Sequence, residues 1–394
     1  MDPVLLAQAL GFLVGVPVTL WISHRQIRQF RQRSRLRAWQ SAAKSCGLHI
    51  VEMGPPLRAR RGPVEVRIDS VQGRYEETQI TIAVSGPPDF DKVRLHPAAT
   101  KPLHPHHRVL EIETGDARFD RAFSLEGPAG LVLALLDEPM RQLLLSLNAR
   151  GRLEIADGEI RTEVFYRMLS HVLPSLVEVG RRLDHPRDVL WRLTENTRSD
   201  PEPGVRLQNL LLLIHEHSGN PVTVKALHAA CLDPNDAPRA EAVSALGREL
   251  SIERTRAILD HALDGSHPKT ARACLEMLGR SGDAAAAEPP LILALQQEHA
   301  DLRVAAADAL GHVGSAAAVL PLEEAAERFW LDLELRRAVH QAIAEIQSRL
   351  QGASPGQLSL ASSEAGQLSL AQAEAGQLSL ATDQTGQLSL PPKS

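Results

Sequence analysis

The second half of the chain carries a repeating pattern of apolar, small and polar positions with helical spacing. Each repeat closes its second helix on a large aliphatic residue, and these residues recur at intervals of 33, 32, 32 and 33: Leu213, Leu246, Leu278, Leu310 and Ile343. Four residues earlier stands a mostly small residue, which lets neighbouring helices approach closely. A period this regular is typical of a solenoid, in which each helix pair packs on the next. The sequence therefore predicts five helical repeats over residues 183–350.

Charged residues recur in step with this pattern. Seven residues before the aliphatic position four repeats have an arginine and the third has an alanine: Arg206, Arg239, Ala271, Arg303 and Arg336. The loops inside the repeats carry Asp200, Asp233, Asp264, Asp301 and Asp332. An aspartate ahead of a helix accepts from free backbone N–H groups, so the loops predict helix caps and a ladder of ion pairs along the stack. Gly247, Gly279 and Gly311 follow the aliphatic position, where a helix end favours positive φ.

The N-terminal residues read as a membrane anchor. Residues 4–23 contain no charged side chain, and about 20 apolar residues span a ~30 Å hydrocarbon core. Only Asp2 is charged ahead of this run, whereas six arginines follow it: Arg25, Arg28, Arg31, Arg33, Arg35 and Arg37. The positive-inside rule then places the N-terminus outside and the rest of the chain in the cytoplasm. We predict a single-pass anchor in the inner (cytoplasmic) membrane at 1–23, with a basic juxtamembrane segment at 24–38 that determines topology or also contacts anionic lipid headgroups. A buried core helix is the alternative for residues 4–23.

Between residues 39 and 165 the pattern changes to alternation with period two, which predicts a small α+β domain. Strands are expected at 64–69, 78–84, 107–113 and 152–156, the last ending at an Asp157–Gly158 turn. Leucine-rich helical spacing predicts a helix over 130–149, in which Pro139 is a point of division. A second helix is predicted over 163–182, with a kink at Pro174. Residues 166–182 would connect this domain to the solenoid.

Two groups of side chains in this domain have the composition of a site. Asp116 and Asp120 are either paired carboxylates or turn residues around Phe119, and turn formation is the preferred interpretation. The other group is a histidine cluster made of His96, His104, His106 and His107. Prolines surround that cluster and predict an extended loop, which does not fix metal-ligand geometry. We expect no metal and no cofactor.

Residues 105–165 are similar to the C-terminal half of a family of bacterial membrane-anchored proteins of unknown function. The residues that carry the resemblance are Gly115-Asp-x-x-Phe119-Asp-x-x-Phe123, the leucine-rich helix after them, and the strands around Asp157–Gly158. The resemblance implies a fold and no active site, because the family has no assigned chemistry.

The C-terminal segment, residues 351–394, holds four copies of Gly-Gln-Leu-Ser-Leu with a period of ten. Its eight leucines are Leu358, Leu360, Leu368, Leu370, Leu378, Leu380, Leu388 and Leu390. So few apolar residues predict disorder, with each Gln-Leu-Ser-Leu able to add as a strand to a sheet edge. The motif is similar to the bacterial sliding-clamp-binding pentapeptide, but Ala361, Ala371, Ala381 and Pro391 replace its terminal aromatic. A linker without a specific partner is the alternative.

Composition narrows the function classes. The net charge is −5, and residues 181–350 contain 19 Lys and Arg against 25 Asp and Glu. A nucleic-acid groove needs the opposite sign, so no nucleic-acid partner is expected. The three cysteines are far apart in sequence, which predicts reduced thiols and neither a disulfide framework nor a zinc site.

The segment Leu302-Arg-x-x-Ala306-x-x-Ala309-Leu310-Gly311 resembles the short HEAT-like repeats first described in phycobilin lyases, and the resemblance extends over residues 185–350. It implies a mainly α fold, an α-solenoid with a protein-binding surface. The iron-dependent hydroxylases with HEAT-like repeats need several His-Glu pairs, whereas this array has only His215-Glu216.

These patterns lead to a membrane-anchored cytoplasmic scaffold without catalytic residues, which binds another cytoplasmic protein. The alternatives are a metal-dependent or lyase-like enzyme, and a clamp-associated factor acting through the tail. If the second helices line the binding face, the outward residues nearest a partner are Glu241, Glu276, Asp308 and Gln341, with the eight tail leucines as a second contact.

Overall fold

The computed structural model describes residues 30, 32–71, 77–98, 111–184 and 188–351. Within these ranges no helix is both long and apolar enough to cross a membrane. The predicted anchor at 4–23, the tail leucines and the histidines 104, 106 and 107 lie outside the described residues.

The first half of the chain forms an eight-stranded antiparallel sheet. Its strands are β1 His49–Glu52, β2 Leu57–Arg61, β3 Val64–Ser70, β4 Glu77–Ala83, β5 Arg94–Pro97, β6 Phe123–Glu126, β7 Arg152–Ala156 and β8 Glu159–Phe165. They lie in the order β1-β2-β3-β4-β8-β7-β5-β6. Strand β8 therefore enters the middle of the sheet, between β4 and β7.

Helices cover one face of this sheet. They are α1 (residues 32–45), α2 Ala117–Ala122, α3 Ala129–Leu135, α4 Glu138–Asn148 and α5 Leu169–Asp184. In β3 the side chains alternate, with Val64, Val66 and Ile68 buried against the helices and Glu65 and Arg67 exposed. This is the pattern of a sheet with one buried and one solvated face.

Several predictions for this half were confirmed and several were wrong. The strands at 64–69, 78–84 and 152–156 are present as β3, β4 and β7. Residues 111–113 of the predicted strand at 107–113 are not a strand, although the Ile112 N–H donates to the Leu125 carbonyl at 3.1 Å. The helix predicted from residue 163 begins at Leu169, because Glu163 and Val164 still pair with β4.

Two helical predictions for this half were confirmed in part. The helix predicted over 130–149 is divided into α3 and α4 at Leu136 and Asp137, and Asp137 caps α4 by accepting from the Met140 N–H. Helix α5 contains Pro174, as predicted, and it covers most of the segment assigned to a connection. Its apolar side chains are nevertheless part of the sheet's hydrophobic core.

The second half is a stack of five helix pairs, which confirms the predicted number of repeats. The first helices are α6 Val189–Ser199, α8 Pro221–Ala230, α10 Ile252–Asp264, α12 Ala284–Ala294 and α14 Val319–Arg328. The second helices are α7 Pro203–Glu216, α9 Asp236–Leu246, α11 Pro268–Gly279, α13 Ala300–Val313 and α15 Leu333–Gln351. Each second helix packs on the next, and the repeats share one continuous apolar core.

The predicted ladder of ion pairs is present at two steps of the stack. Arg206 donates from Nε and Nη2 to the carboxylate of Asp233 in the next repeat, at 2.7 and 2.8 Å. Arg303 donates to Asp332 at 2.9 Å. Two steps lie between these pairs. At the first, Arg239 Nε donates to Thr270 Oγ1 at 3.2 Å, and its buried Nη2 has no partner among the described residues. At the second, Ala271 stands in place of the arginine.

Two of the loop aspartates do not take part. Asp264 is the last residue of α10, and Asp301 lies in the first turn of α13, so neither has the position ahead of a helix that capping requires. The prediction was wrong for these two residues.

The three glycines predicted to end helices have two different roles. Gly247 has a φ of 48° and follows α9, as expected. Gly279 and Gly311 are helical instead, and they permit close approach: a Cβ on Gly279 would lie 2.8 Å from Ala309 atoms, and one on Gly311 would lie 3.2 Å from Ala342 Cα. The prediction of positive φ was wrong there, because contact with the next helix requires the missing Cβ.

Candidate interaction surface

A buried arginine joins the sheet to the solenoid. Arg141, in α4, is fully buried and donates to the Leu136 carbonyl at 2.8 Å and to Asp116 at 3.0 Å. It also forms a two-bond contact with Asp200 in the first repeat, from Nη1 at 2.8 Å and from Nη2 at 2.9 Å. Because Asp200 is the loop aspartate of the first repeat, Arg141 extends the ladder by one step into the sheet half.

The position of Arg141 in its helix repeats that of the ladder arginines. It is the fourth residue of α4, just as Arg206 is the fourth of α7 and Arg303 the fourth of α13. All three also donate from Nη1 to a carbonyl five residues earlier in the chain. The hairpin of α3 and α4 thus contributes the same polar contact as a repeat, and α3 packs on α6.

The backbones of the two halves also touch. A Cβ on Gly115 would lie 2.2 Å from the carbonyl carbon of Gly204 at the start of α7, so no side chain fits at either position. Asn196 of α6 donates to the Leu133 carbonyl of α3 at 3.0 Å. A small apolar cluster that includes Leu133 and Leu193 completes the contact.

Asp116 and Asp120, close in sequence, have separate structural roles here. Asp116 caps α2 by accepting from the Arg118 and Phe119 N–H groups. Burial alone would raise the pKa of Asp116, but these hydrogen bonds and the Arg141 guanidinium together lower it below its ordinary value. Asp120 accepts from Thr114 and Gly115. These local contacts agree with the preferred interpretation of the two aspartates as turn residues.

A cleft of about 430 Å³ lies beside the junction, between α4, α5 and α6. Arg181 and Arg182 line it, and both pair with Glu178, at 2.7 and 3.0 Å. Since these two arginines already have a carboxylate partner, they offer little unsatisfied positive charge to an anionic ligand.

A different cavity lies on the second helices of the last three repeats. It has a volume of about 260 Å³ between α11, α13 and α15, and its apolar lining consists of the small side chains Val304, Ala305 and Ala309. The charged and polar lining residues are Arg272, Glu276, Arg280, Asp301, Asp308, His312 and Glu334. Close packing at Gly279 and Gly311 brings these three helices near enough to share one cavity.

Negative charge in this cavity is only partly compensated. Glu276 pairs with Arg272 at 2.9 Å, but Asp301, Asp308 and Glu334 form no side-chain hydrogen bond or ion pair with a described residue. Burial is the main cause that raises the pKa of Asp308; Glu345 and Glu276 also raise it, whereas His312 and Arg272 lower it. A cationic group entering the cavity could pair with the three carboxylates that have no such contact.

The structure brings two of the four predicted partner-binding residues of the solenoid together. Glu276 and Asp308 both line this cavity. Gln341 is exposed on α15 and donates to Glu345 at 3.0 Å, whereas Glu241 lies on α9, away from the cavity lining. The single His-Glu pair, His215-Glu216, is exposed at the end of α7.

The histidine cluster and the cysteines can be described in part. His96 lies in β5, with its Nδ1 3.6 Å from the Glu154 carboxylate on β7. Within the described ranges no three His, Cys, Asp or Glu side chains are grouped as a metal site. Cys46, Cys231 and Cys274 are free and buried, as the sequence predicted.

Residues 255–344 match a family model described as HEAT repeats, which confirms the resemblance for the last part of the stack. The match includes α11 and α13 and most of the cavity lining. No curated protein matches the chain. None of these comparisons supports the resemblance of residues 105–165 to a membrane-anchored family. The chain therefore contains HEAT-like repeats, a class of structure that commonly mediates protein binding.

Proposed function

We propose that the chain is a non-catalytic, membrane-anchored scaffold that binds a cytoplasmic protein through the second helices of its last three repeats. The observation that carries this proposal is the α11–α13–α15 cavity, where three carboxylates form no side-chain hydrogen bond or ion pair with a described residue. Apolar lining beneath unpaired acidic groups suits a lysine or arginine side chain, whose stem packs while its charged end pairs. The surplus of negative charge also disfavours a phosphate backbone.

The rigid junction supports the same role. A binding surface recognises a partner best when it is held in one geometry before binding, because less freedom is lost. The contacts that run from the sheet through the ladder to α15 hold the binding surface in one geometry.

Site-specific photo-crosslinking in cells tests the binding surface. A photoreactive phenylalanine in place of His312, an exposed lining residue that is not one of the three carboxylates, should give a discrete adduct with one protein, and the additional substitution Glu334→Lys should abolish it. The control is the same replacement at His261, an exposed histidine on the first helix α10. Equal labelling from both positions, or no adduct at 312, would refute the proposed surface.

Membrane attachment has a separate test. The substitution Leu13→Arg places a charge near the middle of the uncharged run at 4–23, where it is strongly unfavourable in a bilayer. The full chain should then leave the alkali-resistant membrane fraction, whereas Arg37→Ala should not release it. Retention of the Leu13→Arg variant would exclude residues 4–23 as the anchor.

A further inference from the structure

The last helix pair, α14–α15, exposes an unusual amount of apolar surface. Five large apolar side chains of this pair and its loop are 59 to 73 % exposed: Leu320, Trp330, Leu331, Leu333 and Leu350. The end repeat of a solenoid needs a polar outer face to remain soluble, and a larger exposed apolar patch marks an interaction site.

The loop that carries Trp330 and Leu331 is held in place. The Arg303 guanidinium lies 3.9 Å from the centre of the Phe329 ring and pairs with Asp332 at 2.9 Å. Asp332 also accepts from the Leu335 N–H at 3.0 Å and so caps α15. Two large apolar side chains are thus presented outward by an ordered loop, as at a preorganised interface.

Each helix exposes mainly one sign of charge, although Arg328 is also exposed on α14, as are Glu334 and Arg349 on α15. An acidic stripe on α14 consists of Glu323, Glu324 and Glu327, and an exposed basic stripe on α15 consists of Arg336, Arg337 and His340. Spacings of three and four residues place each set along one side of its helix. None of these six side chains forms an ion pair or a side-chain hydrogen bond with a described residue, so both stripes are available to a partner.

We infer that this surface binds a second copy of the chain in a two-fold dimer. In a two-fold interface every contact between residue i and residue j occurs twice, so one surface must complement itself. Packing α14 of one copy on α15 of the other brings the acidic stripe onto the basic stripe at two symmetric places. A uniformly acidic or basic partner would meet like charge on one of the two helices, whereas a second copy complements both.

The apolar residues supply the centre of this interface. Between the two charge contacts lie the apolar side chains of Trp330, Leu331 and Leu333 from both copies. These side chains become buried from solvent on association. Aromatic side chains at the centre, with arginines near them, are the common composition of binding hot spots. The dimer would present two cavities to one partner assembly, and two linked sites bind more tightly than either alone.

Charge reversal with rescue by mixing tests this dimer in the full chain in detergent, with mass measured by light scattering and sedimentation. The wild type should be dimeric at micromolar concentration. Glu324→Arg/Glu327→Arg makes both helices basic, and Arg336→Glu/Arg337→Glu makes both acidic. The dimer dissociation constant of each double variant should rise by about 100-fold or more, because like charges then face each other. An equimolar mixture should form a heterodimer, since each basic helix again meets an acidic one.

Several outcomes would overturn the inference. They are a monomeric wild type, double variants that dimerise as well as the wild type, and a mixture in which the two variants do not associate. Trp330→Ser should weaken the dimer, whereas Trp191→Ser, at the exposed tryptophan of α6, should not. Circular dichroism of each variant should match the wild type, because these side chains are on the surface. The dimer test does not depend on the proposed partner of the α11–α13–α15 cavity.

Discussion

Replacing Arg141 by methionine should destabilise the protein more than any other single charge removal in the sheet half. The side chain has no exposed surface and makes four hydrogen bonds, one to Leu136, one to Asp116 and two to Asp200. Methionine keeps much of the buried volume, so the change removes the cation without opening a large cavity. The two halves of the molecule lose their common ion pair at once.

The magnitude follows from what the two carboxylates retain. Asp116 keeps its bonds from the Arg118 and Phe119 N–H groups, whereas Asp200 is left with the Glu202 N–H alone. The Asp200 side chain is only 1 % exposed, so its charge would remain buried without a hydrogen-bonded ion pair, with Arg206 nearby as the remaining cation. Removing one partner of a buried pair costs about 3–5 kcal/mol, and Asp200 should account for most of it.

The contribution of the other carboxylate, Asp116, should appear in the dependence of the unfolding free energy on pH in the acid range. The pKa of Asp116 is lowered in the folded protein, so its stabilising contribution is complete above its unfolded value of about 3.8. That contribution disappears as the pH falls through the lower folded pKa. Because Arg141 is one cause of the shift, the stability of Arg141→Met should depend less steeply on pH below 3.8 than that of the wild type.

Chemical unfolding of the full chain in detergent, followed by tryptophan fluorescence with the buried Trp39 as one of four reporters, measures these differences. The matched control is Arg161→Met, because Arg161 pairs with Glu159 at 2.7 Å on the half-exposed face of the sheet. Such pairs are worth about 0–1 kcal/mol. The double variant Arg141→Met/Asp200→Leu should recover about 1–3 kcal/mol relative to additivity, since it also removes the stranded charge. A loss below about 1 kcal/mol in Arg141→Met, or strict additivity, would refute the reasoning.

Three further predictions concern the solenoid. Arg206→Leu should lower the free energy of unfolding by about 3–5 kcal/mol, because it leaves the buried Asp233 carboxylate without its ion-pair partner. Arg239→Leu should lower it by less than about 1 kcal/mol, because no described carboxylate pairs with Arg239. Equal losses in the two variants would contradict the ladder. Gly279→Ala should lower stability by about 1–3 kcal/mol despite its better helix propensity, because α11 and α13 must separate, and an unchanged midpoint would contradict the close contact. Burial raises the pKa of Cys231 to about 11 and of Cys274 to about 12, so an alkylating reagent at pH 8 should label the two thiols only after denaturation. Rapid alkylation of the native protein, detected by mass spectrometry, would contradict that burial.

The solenoid was predictable because its information is local and repeated. Each repeat contains its own helix signals, and a spacing of 32 or 33 residues appears again at every step. The strands β3, β4 and β7 were predictable for a related reason, since alternation over five to seven residues is visible within one segment. Strands β1, β5 and β6 have only four residues, too few for alternation to be distinguished from chance.

The junction was missed because its residues are distant in sequence. Arg141 and Asp200 are 59 positions apart, and neither segment contains a sequence signal that it pairs with the other. One signal was available: Asp137 begins a helix four residues before Arg141, as Asn235 does before Arg239. That signal has meaning only when the helix starts are known. The shared cavity of Glu276 and Asp308 likewise depends on how closely the helices pack.

The ladder has a direction, and this affects how the array can grow. Arg206 and Arg303 each donate to the aspartate of the following repeat, so the first aspartate, Asp200, needs a donor from outside the repeats and receives it from Arg141. At the other end Arg336 has the fourth position of α15 and no following aspartate among the described residues. A duplicated helix pair added after α15 would find a donor ready, whereas one inserted before α6 would have to displace the sheet. The direction of the ladder therefore makes the C-terminal side of the stack the easier place to add a repeat.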